Sequence, residues 1–390
     1  MTQRSTSLIH HAYQPPAGFE SPVLPVHKGS SIFLPSVAAL RRTSWKDRDG
    51  YTYGLHGTPT TFALESRIAE LEGATHALLA PSGLAALNLV NQTLLASGDQ
   101  LCIPSNVYGP SRASARHDLA RWGVQHAVYD PLDAESLRAV ITPQTKLIWL
   151  EAAGSVTLEF PDLLGLIHVA REAAPQAVVA LDNTWGCGLA FDAFALPGGL
   201  AVDLTIHALT KYPSGGGDVL MGSVCTRDET LFARLATAHG RSGLGVGAND
   251  VELVLRNLPS LALRYAAQDA AARRIAQWAQ QLPGVAQVLH PALPNSPGHA
   301  HWAQTCRAAA GLVSLRFAPE VSASQVEASV DALQLFRIAW SWGGPVSLAV
   351  PYELAGIRDG AQGTVLRLAM GLEDPQDLMD DLANALRIIR

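Results

Sequence analysis

The chain of 390 residues is 48% hydrophobic and 16% charged. That balance argues against a disordered or fibrous protein and allows a large buried core in two or three domains. Its 28 basic and 34 acidic side chains leave a net charge of −6 with no long run of one sign, which argues against a general nucleic-acid binder. The four cysteines, Cys102, Cys187, Cys225 and Cys306, form no CxxC pair. A disulfide framework or a cysteine-rich zinc site is therefore not expected, and a reducing cytoplasm fits.

The opening MTQRSTSLIHHAYQPPAGFE has no apolar core segment and does not read as a secretory signal. No apolar run reaches the roughly 18 residues of a membrane span, so a soluble cytoplasmic protein is expected. Residues 1–60 lack regular periodicity but hold SIFLPS and GYTYG, ordered-looking pieces of an arm expected to clasp a neighbouring subunit. TFALESRIAELEG then alternates at helical spacing and stops on Gly73. Six short apolar runs follow, HALLAP, QLCIPS, HAVYD, KLIWLE, AVVALD and DLTIHA, separated by helical stretches such as GLAALNLVNQTLLASG and LLGLIHVAREAA. Strands alternating with helices predict an α/β domain over 61–255, with a mainly parallel central sheet covered on both faces. Residues 251–282 read as long helical sequence. GLVSLRF, LFRIAWS and TVLRLAMG read as strands, and SQVEASVDAL and DPQDLMDDLANALRII as helices, predicting a smaller α+β domain over 256–390.

Ligands of a parallel sheet collect at the carboxyl ends of its strands, which directs attention to Ser82-Gly83, Tyr108, Glu151, Asp182 and Lys211. Lysine is scarce here: Lys28, Lys46, Lys146 and Lys211 are the only four, and the other 24 basic residues are arginine. A lysine amine can lose its proton and form an imine, as arginine cannot. Asp182 ends a run of five apolar residues and could pair with a buried cation such as a pyridine nitrogen, or merely cap a turn. Ser82-Gly83 opens a helix whose first N–H groups could hold a phosphate. Tyr108 could stack on a ring, or simply pack. Thr210 offers a hydroxyl. Each has an ordinary structural reading, but together they make up the kit for pyridoxal 5'-phosphate (PLP). GLGVG at 243–247 follows a helix rather than a strand and is not read as a nucleotide loop. His290, His299, His301 and Cys306 lie near one another in sequence, but no metal is expected there.

The segments GYTYGLHGTPT, ELEGATHALLAPSGLAAL, NVYGPS, ALDNTWGCGL, HALTKY, HPALPNSPGH, SWGGPVSL and LRLAMGLEDPQDL resemble, in order and spacing, the Cys/Met-metabolism family of PLP enzymes. This is the γ-subgroup of fold type I, and within it the chain is most similar to the cystathionine β-lyases. The resemblance implies that Lys211 carries the cofactor and serves as base, that Asp182 pairs with the pyridine nitrogen, and that Tyr108 stacks on the ring, where it could also act catalytically by deprotonating the incoming amine or serve in stacking alone. It implies that Gly83, Leu84 and Thr210 hold the phosphate, with Tyr53 contributed by a neighbouring subunit. Arg367 would grip the substrate α-carboxylate, with Ser341 and Trp342 lining the same pocket. A homotetramer built from dimers with shared active sites is implied as well.

The chain also departs from the pattern. The family's Tyr-x-Arg is Tyr53-Gly54-Leu55 here, so its arginine contact to phosphate cannot be carried over; Ala208 replaces a serine that many members carry, and Gly215-Gly216 replace a usual Gly-His. Trp340 and Trp342 flank Ser341, which resembles the β-lyases more than the γ-lyases and γ-synthases of the family. The expected reaction is cleavage of cystathionine or a related sulfur amino acid to a thiol, pyruvate and ammonia. γ-Chemistry is the alternative within the family. A PLP-binding regulator with little turnover is the alternative outside it.

Overall fold

A computed structural model of the chain describes residues 3–10, 17, 18, 21, 23–46, 48, 50–357 and 361–389. Parts of the expected arm 1–60, at 1, 2, 11–16, 19, 20, 22, 47 and 49, lie outside the described residues. The rest of the arm carries two short helices, α1 (Arg4–Ser7) and α2 (Val37–Arg42), and an antiparallel bridge between Ser31 and Tyr53.

Helix α3 (Pro59–Glu72) begins where Thr58 and Thr61 cap one another and ends on Gly73 in the left-handed region, φ 77°. After it the chain alternates. β1 (His76–Ala80), α4 (Gly83–Leu94), β2 (Gln100–Pro104), α5 (Gly109–Ala113, extended by a π-helical stretch to Leu119) and β3 (Gln125–Tyr129) come first. Next are α6 (Ala134–Val140), β4 (Thr145–Glu151), α7 (Leu163–Ala173), β5 (Val178–Asp182), β6 (Leu204–His207) and β7 (Gly222–Thr226). The seven strands form one sheet in the order β1-β7-β6-β5-β4-β2-β3. β2 to β6 run parallel to one another, and β7 is antiparallel to both β1 and β6. All six apolar runs are strands. β7 is a seventh that they do not announce: GSVCT mixes small and polar residues, yet all five are buried.

α8 (Glu229–Ser242) leads to α9 (Ala248–Asn257) and α10 (Leu261–Ala279). The expected continuous helix over 251–282 is interrupted by one 3-10 turn at Leu258–Ser260, because Pro259 lacks the N–H that would continue the ladder. The last part contains β8 (Val285–Leu289), α11 (His299–Thr305), β9 (Leu312–Phe317), α12 (Ala323–Asp331), β10 (Arg337–Ile338), β11 (Leu348–Glu353), β12 (Thr364–Ala369) and α13 (Pro375–Ala385). Its five-stranded sheet has the order β10-β11-β12-β9-β8. LFRIAWS is thus mostly not a strand. Only Arg337 and Ile338 pair, both exposed; Phe336 is buried in the second core, and Trp340 and Ser341 line a cavity. β8 and β11 are strands that the sequence reading does not single out.

α10 belongs to both halves. Leu261 and Tyr265 pack in the core of the first sheet, whereas Ala272, Ile275, Ala276 and Ala279 pack in the core of the second. Among the described residues no helix is long and apolar enough to cross a membrane. Ile275 is 0% exposed. Ile275→Ala should therefore lower stability by about 2–4 kcal/mol through lost burial and a cavity, read as a lower urea midpoint in equilibrium unfolding.

Candidate active site

A cavity of about 600 Å³ opens at the carboxyl ends of β4, β5 and β6, where the two sheets meet. Lys211, Asp182, Tyr108, Gly83, Leu84, Thr210, Arg367, Ser341 and Trp342 all line it. Tyr53 does not: it is 48% exposed on the arm of its own chain.

Lys211 lies on the turn after β6, and its Nζ is 3.1 Å from the Ser341 Oγ and 5.5 Å from the Trp342 ring centre. Trp342 is held edge-on against Tyr212, 5.4 Å between centroids. Gly343 makes this approach possible. It has φ 80°, and a Cβ there would lie 2.7 Å from the Tyr212 backbone nitrogen. Burial and the Arg367 charge lower the Lys211 pKa to about 8, against the opposing pull of Asp182.

Asp182 ends β5 in register with Glu151 of β4, so the parallel pairing directs both carboxylates to the same end of the sheet. An Asp182 oxygen accepts from the Thr184 backbone N–H at 3.0 Å. Burial raises its carboxyl, while the Thr184 hydrogen bonds and the His207 charge counter that effect. His207 is fully buried beside Glu72, with Nδ1 3.3 Å from the carboxylate. Burial alone would lower it, but Cys187 and Glu72 outweigh burial and raise it to about 10. A buried cation therefore stands behind Asp182. Glu151 is pushed well above the carboxylate range, by burial first and then by the Asp182 charge.

Opposite these groups, Ser82 caps α4, accepting from the Ala85 N–H at 3.0 Å. Gly83 and Leu84 follow at the cavity wall, where the first N–H groups of a helix have no internal partner. A Cβ on Gly83 would lie 2.6 Å from the Ala208 Cβ, so the turn must be glycine. Thr210 is less free than its sequence position suggests. Its hydroxyl donates to the Met221 carbonyl at 3.1 Å and accepts from the Met221 N–H at 3.0 Å.

Arg367 of β12 is 6% exposed. It donates to the Ser155 carbonyl at 3.0 Å and lies over the Tyr352 ring at 5.2 Å. Among the described residues no carboxylate pairs with it. A buried guanidinium without an anion is costly unless one arrives, and its fork fits a carboxylate. Tyr352 itself gives no signal in the sequence, since β11 is not read there as a strand. Tyr108 caps α5, 42% exposed, its phenol raised by burial and by the Asp182 and Glu151 charges. It therefore keeps its proton at neutral pH in the free protein.

The histidines outside this cavity have separate surroundings. His290 is buried, with its pKa lowered to about 3 by burial and then Arg273; His299 contacts the Pro291 carbonyl, and His301 faces Asp162. Among the described residues no group of His, Cys, Asp or Glu is placed to hold a metal.

The Lys211 amine is expected to be mostly neutral above pH about 8, not the about 10.4 of a lysine in water. Labelling of the ligand-free protein by a small amine-reactive reagent, followed on the Lys211 peptide by mass spectrometry, should rise through pH about 8 and then level. Arg367→Met removes a neighbouring charge and should move that limb upward; an unmoved limb would contradict the coupling.

The family model described as Cys/Met metabolism PLP-dependent enzyme matches residues 5–387. A putative cystathionine beta-lyase of Rhizobium johnstonii is 38% identical over 371 residues, covering 94% of this chain and 90% of that one. A cystathionine beta-lyase of Bordetella avium is 35% identical over 383 residues, covering 96% and 94%. The crystal structure of metB from Corynebacterium glutamicum superposes with a TM-score of 0.90 at 28% identity, covering 100% of this chain and 99% of that one. With its lysine and paired carboxylates gathered at the strand ends and a buried arginine on the same cavity, this chain belongs to the PLP-dependent enzymes of Cys/Met metabolism.

Proposed function

We propose that this enzyme cleaves the Cβ–S bond of cystathionine or a related sulfur amino acid, releasing a thiol, pyruvate and ammonia. The observation that carries this reading is a lysine whose pKa is lowered to about 8 facing, across one cavity, a buried arginine with which no carboxylate pairs among the described residues. An amino acid bound by its carboxylate at Arg367 presents its α-carbon toward Lys211.

The residues suit PLP. The start of α4 at Gly83 and Leu84 offers unpartnered N–H groups to a phosphate, with the Thr210 hydroxyl beside them. Asp182 suits a protonated ring nitrogen, and Tyr108 a ring face. Lys211 is the attachment point. When bound, the cofactor supplies an aldehyde for the substrate amine and a ring that accepts the electrons released at Cα.

The chain's own groups do the rest. Burial and Arg367 hold the Lys211 amine near neutrality, so once released it can take the Cα proton, and a base works best with a pKa close to the working pH. The same amine, now protonated, stands ready to give that proton to the departing sulfur. Ser341, 3.1 Å from Nζ, keeps the amine oriented. Burial raises the Asp182 carboxyl, with the Thr184 hydrogen bonds and His207 opposing that, and a protonated ring nitrogen beside it would favour its anionic form. Tyr108 keeps its own proton in the free protein, which favours packing against the ring over a role as the first base. Trp340 and Trp342 wall the side where the sulfur substituent would lie, and Trp340 is 83% exposed at the mouth.

The site is completed by a second copy in this reading. Tyr53 points away from its own cavity, and Phe33, Val37 and Leu40 of the arm are 97%, 63% and 61% exposed. An arm carrying such apolar groups suits a partner surface, in a cytoplasmic homotetramer built from dimers.

Incubation with cystathionine should release pyruvate and homocysteine. 2-Oxobutyrate as the main product would replace this reading with γ-chemistry, and bound PLP without turnover would make the protein a binder. Lys211→Ala should cut kcat at least 10³-fold, on the order of 4 kcal/mol of barrier, and should abolish the visible absorbance of the attached cofactor.

A further inference from the structure

Glu151 has no place in the chemistry above, although it is 6% exposed and ends β4 at the cavity wall. Its contacts explain its presence. One oxygen accepts the Tyr108 backbone N–H at 2.8 Å, and the carboxyl also faces the backbone N–H of Ser155. The carbonyl of that same Ser155 accepts from Arg367 Nη1 at 3.0 Å. A single side chain thus joins two loops, one setting the angle of the Tyr108 ring and the other the position of the Arg367 guanidinium. The same two loops meet a second time where Asn106 Nδ2 donates to Glu159 at 2.7 Å. Ser314 of the second sheet donates to the Val156 carbonyl at 2.6 Å, so the 152–160 loop also connects the two halves of the molecule.

We propose that Glu151 is a positioning residue that sets the cofactor-facing ring of Tyr108 and the substrate-facing fork of Arg367 together, by holding the Tyr108 backbone N–H and packing against the Ser155 segment to which Arg367 is bonded. The proposal rests on the reading of Arg367 as the carboxylate anchor. Glu151 acts by geometry, not charge. Its neighbour in register is the Asp182 carboxylate, and burial with that charge favours the protonated, neutral acid. The charged groups facing it from adjacent elements are Asp182 of β5 and Arg112 of α5. A neutral side chain of the same length with a carbonyl oxygen should therefore substitute well, whereas a shorter carboxylate should not. Buried polar groups left without partners are costly, and displacing either loop moves groups that must be placed to within a fraction of an ångström.

Glu151→Gln, Glu151→Asp and Arg367→Lys test this on the holoenzyme, with two readouts. One is the PLP dissociation constant from the visible absorbance; the other is the KM for cystathionine. Glu151→Gln should stay within about threefold of the parent in both. Glu151→Asp should weaken PLP binding and raise KM together, each by roughly tenfold or more, a loss typical of one misplaced contact. Arg367→Lys should raise KM while leaving PLP binding nearly unchanged. Glu151→Gln as damaged as Glu151→Asp would overturn the proposal, because charge would then carry the effect. Glu151→Asp unchanged in both readouts would overturn it too. If Glu151→Asp does not fold, Glu151→Gln still decides: a Gln variant with weakened PLP binding overturns the proposal. An unaltered KM in Arg367→Lys would remove the anchor reading instead, leaving the Tyr108 half of the link to be judged by PLP affinity alone.

Discussion

Holding a lysine and an arginine out of water beside the same cavity is the condition on which the site rests. Like charges in a poorly solvated place raise each other's energy, and the lysine, which can shed its proton, yields first. The second sheet supplies Arg367 and the turn after β6 supplies Lys211, so the charge that adds to burial in lowering the lysine comes from the other half of the molecule. A permanent carboxylate beside the arginine would weaken that effect, and none pairs with it among the described residues.

The carboxylate side is arranged in the opposite sense. Behind Asp182 stands the buried His207, raised to about 10 by Cys187 and Glu72 against burial, and Asn183 donates to Glu72 at 2.8 Å. Pairing with an opposite charge is what lets buried charges be tolerated. Two neighbouring carboxyls in register, Asp182 and Glu151, are thereby given different surroundings: burial raises both, but His207 opposes it at the first, while the charge of the first adds to it at the second. Environment, more than residue type, separates them.

Much of this is legible in the sequence, and the reason is physical. Parallel strands covered on both faces must be apolar throughout, so β2, β4, β5 and β6 stand out as runs, with a carboxylate at the last residue of β4 and of β5. Asp182 and Lys211 are visible for that reason. What escapes notice lies on antiparallel or edge strands. β7 is built of small polar residues, and β11 contains Pro351, which normally argues against a strand. β10 pairs only with Leu348 and Ala349 of β11, so beyond them β11 is an edge where a missing N–H costs nothing. Tyr352 was hidden by that proline. The Ser155 link could not be read at all, since it depends on a backbone carbonyl of one loop meeting a side chain 212 positions away. Thr210 shows the converse: its position is evident, but its engagement with Met221 is not.

The shared helix α10 carries a final implication. Because one end is embedded beneath the parallel sheet and the other beneath the antiparallel one, no cut between them leaves a piece with a finished interior. Expressing either piece separately would present water with a greasy helix face. Nature, or an engineer, can vary the surface loops of this molecule at will, but would have to inherit its two lobes as a single indivisible unit.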